Sequence, residues 1–391
     1  MASPSAPVAR PWRIALELRD DNATAPLWLR GASIAIGLIV GVAVLALSAG
    51  AGSDVFSAIW AATFGNALGI TQVLQLTTPL ILAGSAVVAA RWVGLWNVGV
   101  DGQLMFGAWA GTWLAFHTPT LSGPLLAFLM ILLGMAGGAA WIVIPAVAKA
   151  YLGVNEIITT LMLNFAAYYY LVYWVTNPWS QPNVQYGSVE TKNVPASSWF
   201  PTFHVGGVAV GLGFVVALVV VACLWMAFRY LRFGYHARLA GGEKATALYA
   251  GIAFGRLRLS TFLLSGAVAG LAGVVIELDQ LHTFSTALSA NTGYIGIVVA
   301  VLAGNSFGGV IPMALLVGVL DSAGNGLRIA GVSSELVLLV TGLLLVFVST
   351  ADLAARYRIR LGGFRDDSDE TAQQSQTDDL PSQIAKMKSP G

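Results

Sequence analysis

Charged residues are scarce in this chain. Of its 391 residues, 57% are hydrophobic and only 10% are charged, and the mean hydropathy is +0.75. Soluble globular chains carry about 25% charged residues, so this sequence cannot cover a water-facing surface, and a soluble enzyme is excluded. The formal net charge of +1 provides no basic surface for nucleic-acid binding. The class that fits is a polytopic membrane protein.

The usual residues of metal sites and of catalysis are also few. Cys223 is the single cysteine, and the four histidines lie far apart in the sequence, which argues against a disulfide scaffold and against a metal site. The chain has no G-x-x-x-x-G-K-[ST] segment and therefore no Walker loop for nucleotide phosphates. We predict that the chain holds no cofactor or metal and is not an enzyme.

Ten apolar runs are candidates for membrane spans, since a spanning helix needs about 20 apolar residues. The runs cover 31–49, 71–90, 94–116, 122–148, 157–176, 205–228, 259–278, 291–304, 309–327 and 336–355. The eighth and ninth are shorter and rich in glycine, so they either both cross or form re-entrant or broken helices. The sequence thus predicts an all-α membrane domain at 31–355, after a polar segment at 1–30 and before a disordered tail at 356–391.

The placement of lysine and arginine supports this count, because cytoplasmic loops are enriched in both residues. With the N-terminus inside and each run crossing once, eighteen of the twenty lysines and arginines fall inside. Only Lys192 and Arg328 fall outside. We therefore expect about ten spans with both termini cytoplasmic, a long outer loop at 177–204 and a long inner loop at 229–258.

Polar residues interrupt the third span. The segment 94–103 reads GLWNVGVDGQ and holds three glycines together with Asn97, Asp101 and Gln103. Polar groups at membrane depth must face protein or a water-filled cavity. Two interpretations stay open: hydrogen bonds between helices, or a broken helix that lines a substrate path. In the second, Asn164 of the fifth span faces the same cavity.

Few other ionisable residues fall deep in the predicted spans. Ion-coupled carriers usually need such residues as relays, and here only Asp101 and Asp321 are candidates. An ion-coupled secondary transporter is therefore disfavoured but stays open. At the outer end of the fifth span, five aromatic residues between Tyr168 and Trp174 form either an aromatic belt at the headgroups or a stacking surface for a ring-shaped substrate.

The inner loop 229–258 has arginines at both ends and a helix-compatible stretch at 243–249. Gly251 is placed to end such a helix, since glycine is favoured just past a helix terminus. The loop is either a solvated positive loop or a short helix that docks on a cytoplasmic partner. The segment 302–309, LAGNSFGG, predicts a tight turn near the inner face.

These segments resemble permease subunits of ATP-binding-cassette (ABC) importers, in the family that serves ribose-type sugars, nucleosides and branched-chain amino acids. GLWNVGVDGQLMFGA at 94–108 is similar to the GLFNIGAEGQ signature of the nucleoside and simple-sugar branch, with Asp101 in place of glutamate. NEIITTLMLNFAAYY at 155–169 is similar to that branch's NEIISTLMLNY. RLAGGEKATALYAGI at 238–252 is similar to its inner loop RAVGxNPxAAxYAGI. The resemblance extends over about 70–360.

The resemblance implies two inverted five-helix halves and a coupling helix that docks on a separate ATPase carrying ATP and Mg²⁺. Glu243 and Lys244 stand where the family often has Asn-Pro, and Thr246 replaces an alanine. The residues of the coupling segment that match are Gly241, Ala247, Tyr249, Ala250, Gly251 and Ile252.

The same resemblance implies partners and a cargo. The partners are a second permease subunit, which forms a heterodimer with this chain, and a periplasmic or lipoprotein substrate-binding protein, in a bacterial inner membrane. The cargo is a neutral solute, with nucleosides preferred and simple sugars as the alternative. Asn97, Asp101, Gln103 and Asn164 are the residues expected along its path.

Overall fold

The computed structural model of the chain describes residues 13–18, 27–49, 52–181, 190–242, 251–329 and 335–362. These residues form twelve α-helices and three two-stranded sheets. The helices are α1 (Leu27–Ala49), α2 (Gly52–Thr63), α3 (Ala67–Arg91), α4 (Val100–His117), α5 (Gly123–Leu152), α6 (Glu156–Thr176), α7 (Leu212–Tyr230), α8 (Arg232–Gly242), α9 (Phe254–Ile276), α10 (Thr292–Leu302), α11 (Phe307–Ile329) and α12 (Glu335–Arg356). The strands are β1 (Arg13–Leu18), β2 (Glu190–Asn193), β3 (Thr202–Val205), β4 (Val208–Gly211), β5 (Thr283–Ser285) and β6 (Tyr357–Gly362).

Among the residues that the structure describes, six helices are both long and apolar enough to cross a bilayer. They are α3, α5, α6, α7, α11, and α9 with the π-helical turn Glu277–Leu281 that continues it. Shorter apolar helical stretches lie in α1, α10 and α12. The described part of the chain is thus mostly helical and multi-pass, as the sequence predicts.

Two of the predicted spans begin later as helices in the structure than the sequence predicts. Within 94–116 the helix begins only at Val100, because Gly94 adopts a left-handed φ of +73° and the next residues do not form helix. Within 205–228 the helix begins only at Leu212, because β3 and β4 form a hairpin around Gly206 and Gly207, whose φ angles are +59° and +85°. Two successive left-handed residues are typical of a tight hairpin turn.

The two short runs also turn out unequal. The eighth becomes α10, whose 11 residues are too few to cross a bilayer as a helix. The ninth becomes α11, whose 23 residues are enough. Gly308 and Gly309 are accommodated in the first turn of α11, which is therefore longer than the predicted run 309–327.

The all-α prediction needs a second correction at the chain ends. The structure divides into two compact units, 33–348 and a smaller one formed by the described residues of 1–32 and 349–391. In the smaller unit β1 pairs antiparallel with β6, with Arg13 opposite Gly362. The predicted disordered tail therefore begins with a strand, and the rest of that tail lies outside the described residues.

The core of the larger unit is built on α3 and α9, which are the most buried of the apolar helices. Helix α9 packs against α4 and α5, whereas α3 packs against α10 and α11. Glycines allow the first of these contacts to be backbone to backbone: a Cβ placed on Gly270 of α9 would lie 2.9 Å from the Cα of Gly138 in α5. Small residues at helix contacts permit such close approach in membranes.

This contact predicts opposite outcomes for the same change at two glycines of α9. Gly270→Ala is expected to lower the free energy of unfolding by about 1–3 kcal/mol, because the new methyl group overpacks against α5. Gly255→Ala, with its nearest neighbouring atom at 4.0 Å, is the matched control and is expected to be neutral or slightly stabilising. Thermal unfolding in detergent measures both, and equal melting temperatures would contradict the packing argument.

Candidate functional site

A cavity of about 400 Å³ lies between the first turns of α4, the middle of α6 and the chain leading into α10. Its lining is acidic at Asp101, aromatic at Phe165, Tyr168 and Tyr169, and mostly polar along 286–294. Ligand cavities of this size usually combine an apolar or aromatic wall with a few polar groups. The arrangement is therefore that of a small-molecule site.

Asp101 joins the start of α4 to the start of α10. Its Oδ1 accepts a 2.6 Å hydrogen bond from the Ser289 hydroxyl and a 2.9 Å bond from the backbone N–H of Gly293. Position 293 must be glycine, because a Cβ there would lie 2.6 Å from the Asp101 side chain. The carboxylate thus supplies a partner for a free N–H at the N-terminus of α10, where a negative charge is favourable.

Asn164 holds α6 against the non-helical segment 94–99. Its Oδ1 accepts from the backbone N–H of Gly102 at 2.9 Å, and its Nδ2 donates to the carbonyl of Val98 at 2.8 Å. The same Nδ2 donates to the Tyr294 hydroxyl at 3.1 Å. Asn164 is 2% exposed and lines the cavity.

Asn97 and Gln103, the other two predicted path residues, do not line the cavity. The Asn97 side chain donates to the side-chain amide oxygen of Gln103 and to the Ser265 hydroxyl, each at 2.8 Å. It accepts a hydrogen bond from the N–H of Gly99 at 3.0 Å. Ser265 in turn donates to the carbonyl of Ala86. These contacts tie α3, α4 and α9 together, so Asn97 and Gln103 form hydrogen bonds between helices, whereas Asp101 and Asn164 line the cavity.

Some aromatic residues of α6 line the cavity, and others pack against further aromatic side chains. Tyr168 and Tyr169 line the cavity, and Tyr169 is 69% exposed. Tyr170 and Trp174 face the opposite direction and pack in an aromatic cluster with Trp109, whose ring centre lies 5.2 Å from that of Tyr170 and 5.6 Å from that of Trp174. Only part of this group is therefore available for stacking on a ligand.

Sequence reasoning missed the segment before α10. Thr286, Ser289 and Asn291 line the cavity together with Tyr294. The signal was present in the polar NTGY run at 291–294, inside what looked like an apolar span. The left-handed φ of +64° at Asn291, which turns the chain into α10, is not visible in the sequence.

The predicted coupling residues are described only in part. Gly241 lies in α8, Gly251 is an exposed turn residue with a φ of +69°, and Ile252 packs against the core. Glu243, Ala247, Tyr249 and Ala250 lie outside the described residues.

The Asn97 contacts predict a loss of stability when they are removed. Asn97→Leu leaves the side-chain amide of Gln103 and the N–H of Gly99 buried without their partner and removes the bond to Ser265, at a cost of about 2 kcal/mol. Asn193→Leu makes the same change at an exposed residue and is expected to cost less than about 0.5 kcal/mol. Thermal unfolding of the two variants checks this, and similar melting temperatures would show that the Asn97 contacts are not stabilising.

Comparison with known proteins bears on this site. Residues 69–349 match the family model described as "Branched-chain amino acid transport system / permease component". The chain is 32% identical to the glucose ABC transporter permease protein TsgB13 of Haloferax volcanii, over 90% of this chain and 96% of that protein. It is 31% identical to the guanosine ABC transporter permease protein NupP of Bacillus subtilis, over 82% of this chain and 92% of that protein.

A third relative, the nucleoside ABC transporter permease protein NupB of Lactococcus lactis, is 29% identical over 84% of this chain and 92% of that protein. These matches confirm the resemblance that the motifs at 94–108, 155–169 and 238–252 indicated. Because the family model covers most of its length, the chain belongs to the permease-component family of branched-chain amino acid transport systems, in the branch of nucleoside and sugar ABC permeases.

Proposed function

We propose that this chain is the permease subunit of an ATP-driven ABC importer that moves nucleosides across a bacterial inner membrane by alternating access. Simple sugars are the second candidate cargo. The observation that carries the proposal is the cavity at Asp101, which places one carboxylate beside exposed aromatic rings in a chain of this permease family.

The chemistry of the cavity favours a nucleoside. Phe165 and Tyr169 are 54% and 69% exposed and offer ring faces on which a base can stack. The Asp101 carboxylate accepts hydrogen bonds from the N–H groups of a base or the hydroxyls of a ribose. A sugar would use the same carboxylate but less of the aromatic surface, and the glucose permease relative keeps that alternative open.

The cavity also favours an uncharged cargo. None of the described residues that line it is a lysine or arginine. A phosphate group would therefore meet the Asp101 carboxylate without a compensating cation, and like charges repel strongly away from bulk water. We expect nucleosides to be carried and nucleoside monophosphates to be rejected.

The contacts between loops support ten crossings with both termini inside. Segments assigned to the outer face contact each other, since Asn193 pairs with Thr283 and the Ala209 N–H donates to the Thr71 hydroxyl. The antiparallel pairing of β1 with β6 brings the two ends of the chain together, which supports the proposal that both termini lie on one side of the membrane. The eighth crossing is then shared by the non-helical segment 286–291 and the half-length helix α10.

The helix packing supports two inverted halves. Helix α3 of the first half packs against α10 and α11 of the second, and α9 of the second packs against α4 and α5 of the first. The similar segments LAGSAV at 82–87 and LSGAVA at 264–269 lie in α3 and α9, the two central helices. Inverted repeats of this kind place the transport path where the halves meet.

The proposed partners are an ATPase subunit that holds ATP and Mg²⁺, a substrate-binding protein at the outer face and a second permease subunit, which is a different chain. An apolar stripe on α6 supports the last of these. Ile158 and Met162 stand four residues apart and are each more than half exposed, on the same helix as the cavity-lining Phe165 and Tyr169. That spacing places them on one helix face, beside the opening of the cavity.

The cargo is tested with the reconstituted transporter and its ATPase and binding protein. Asp101→Asn keeps the oxygen that accepts from Ser289 and Gly293 but removes the charge. Nucleoside uptake is expected to fall about tenfold, the effect of weakening a hydrogen bond to a charged group, and the exclusion of nucleoside monophosphates is expected to weaken. Asp321→Asn, away from the cavity, is the matched control.

Two results would overturn this function. Uptake by the chain alone in liposomes, following an ion gradient without ATPase, would establish the ion-coupled alternative. Transport of glucose but not of any nucleoside by the wild-type complex would replace the cargo and leave the ABC mechanism in place.

Coupling to the ATPase is tested at Gly251. Its φ of +69° is strained for most residues but acceptable for asparagine, and no atom of the described ranges lies within 4 Å of an added Cβ. Gly251→Val is expected to reduce copurification of the ATPase, whereas Gly251→Asn is expected to retain it, because only valine opposes the turn that follows the coupling segment. Equal copurification of the two variants would contradict a role for this turn in docking.

A further inference from the structure

Asn164 sets the direction of the hydrogen bond that it forms with Tyr294 in the wall of the cavity. The backbone N–H of Gly102 can only donate, so it fixes the position of the Asn164 Oδ1. The carbonyl of Val98 can only accept, so it fixes the position of Nδ2. The second N–H of the same Nδ2 is directed to the Tyr294 hydroxyl at 3.1 Å. Tyr294 is therefore the acceptor in this bond.

The hydroxyl proton of Tyr294 is left for a ligand. A tyrosine hydroxyl has one proton to donate besides the lone pairs with which it accepts, and no acceptor among the described residues takes that proton. Tyr294 lies half-buried in the first turn of α10 and lines the cavity. Its O–H group is thus an unused donor at the site.

Asp101 provides the complementary acceptor. Its Oδ1 is used by the Ser289 hydroxyl and by the N–H of Gly293, the residue before Tyr294. Its Oδ2 accepts no hydrogen bond from the residues that the structure describes. The first turns of α4 and α10 therefore bring an unused carboxylate oxygen and an unused hydroxyl proton to one cavity.

A nucleobase with an N–H group next to a carbonyl group matches this pair. The N–H donates to Asp101, and the carbonyl oxygen accepts from Tyr294. Guanine carries two N–H groups, at N1 and N2, beside its O6 oxygen, and both can use the free lone pairs of the Asp101 Oδ2. The exposed rings of Phe165 and Tyr169 on α6 offer a stacking surface for the same base.

We propose that Tyr294 is a specificity-determining residue of the transport path. Its hydroxyl donates to the carbonyl oxygen of an oxo-nucleobase, while Asp101 accepts from the neighbouring N–H, and nucleosides of 6-oxopurines are the cargo that fits best. This inference rests on the proposed nucleoside function and adds to it the edge of the base that the permease recognises.

The test compares guanosine with 6-thioguanosine, in which sulfur, a weaker hydrogen-bond acceptor, replaces the O6 oxygen. The complete complex with its ATPase and binding protein is reconstituted in proteoliposomes, and kcat/KM of ATP-driven uptake is measured for both nucleosides. Tyr294→Phe is expected to lower the value for guanosine about fivefold, the effect of one lost hydrogen bond, and that for 6-thioguanosine less than about twofold. The preference of the binding protein is the same for every variant, so it cancels when the ratio of the two values is compared.

Tyr173→Phe is the matched control, because Tyr173 is an exposed tyrosine of α6 that does not line the cavity. It is expected to leave the ratio unchanged. Two further nucleosides locate the contact on the base. 7-Deazaguanosine, altered on the other edge of the base, and 2′-deoxyguanosine, altered on the ribose, are both expected to respond to Tyr294→Phe as guanosine does.

A purely structural role of Tyr294 would lower the uptake of guanosine and 6-thioguanosine by the same factor, because the Asn164 N–H loses its acceptor in either case, and that result would overturn the proposal. Guanosine uptake that Tyr294→Phe leaves unchanged would do the same. So would an effect that is lost with 2′-deoxyguanosine, since Tyr294 would then contact the ribose. A wild-type complex that carries no nucleoside would instead refute the proposed function itself.

Discussion

The structure depends on hydrogen bonds to the backbone where two helices are interrupted inside the bundle. Backbone groups at membrane depth have no water to bind, so each needs a partner within the protein. Asn97 bonds the N–H of Gly99, Asn164 bonds the carbonyl of Val98 and the N–H of Gly102, and Asp101 bonds the N–H of Gly293. The cavity lies at this place because the polar groups that compensate for the interruptions also provide a polar wall.

Close glycine packing makes one wall of that cavity stiff. Helices α4, α5 and α9 meet backbone to backbone at Gly107, Gly138 and Gly270, where a single added methyl group has no room. In helix α6, by contrast, only 22% of the residues in the apolar stretch are buried. Asn164 joins this helix to α4. A site between a rigid block and a more weakly held helix suits alternating access, because relative movement there changes access to the cavity without disturbing the core.

The sequence predicted the membrane class and the family from composition and three motifs, and a cavity shared by Asp101 and Asn164 was one of the two interpretations that it left open. It did not separate them from Asn97 and Gln103, since all four are polar residues at membrane depth and only packing decides which face a void. The late starts of α4 and α7 were missed because hydropathy does not register a left-handed glycine or a hairpin rich in valine. The contributions of Ser289 and Gly293 require contacts across nearly 200 residues, which no local pattern contains.

The distribution of charge bears on the source of energy. Asp101 is the single ionisable carboxylate among the described residues that line the cavity, and its Oδ1 is already bonded to Ser289 and Gly293. A proton or ion relay requires a series of such groups leading to one membrane face, and no second carboxylate in the described lining continues from Asp101. Arg91 and Arg238 line instead a second cavity, of about 290 Å³, that shares no lining residue with the first. A cavity at membrane depth with a single carboxylate favours the proposed permease, driven by a separate ATPase, over one driven by ions that pass through the chain itself.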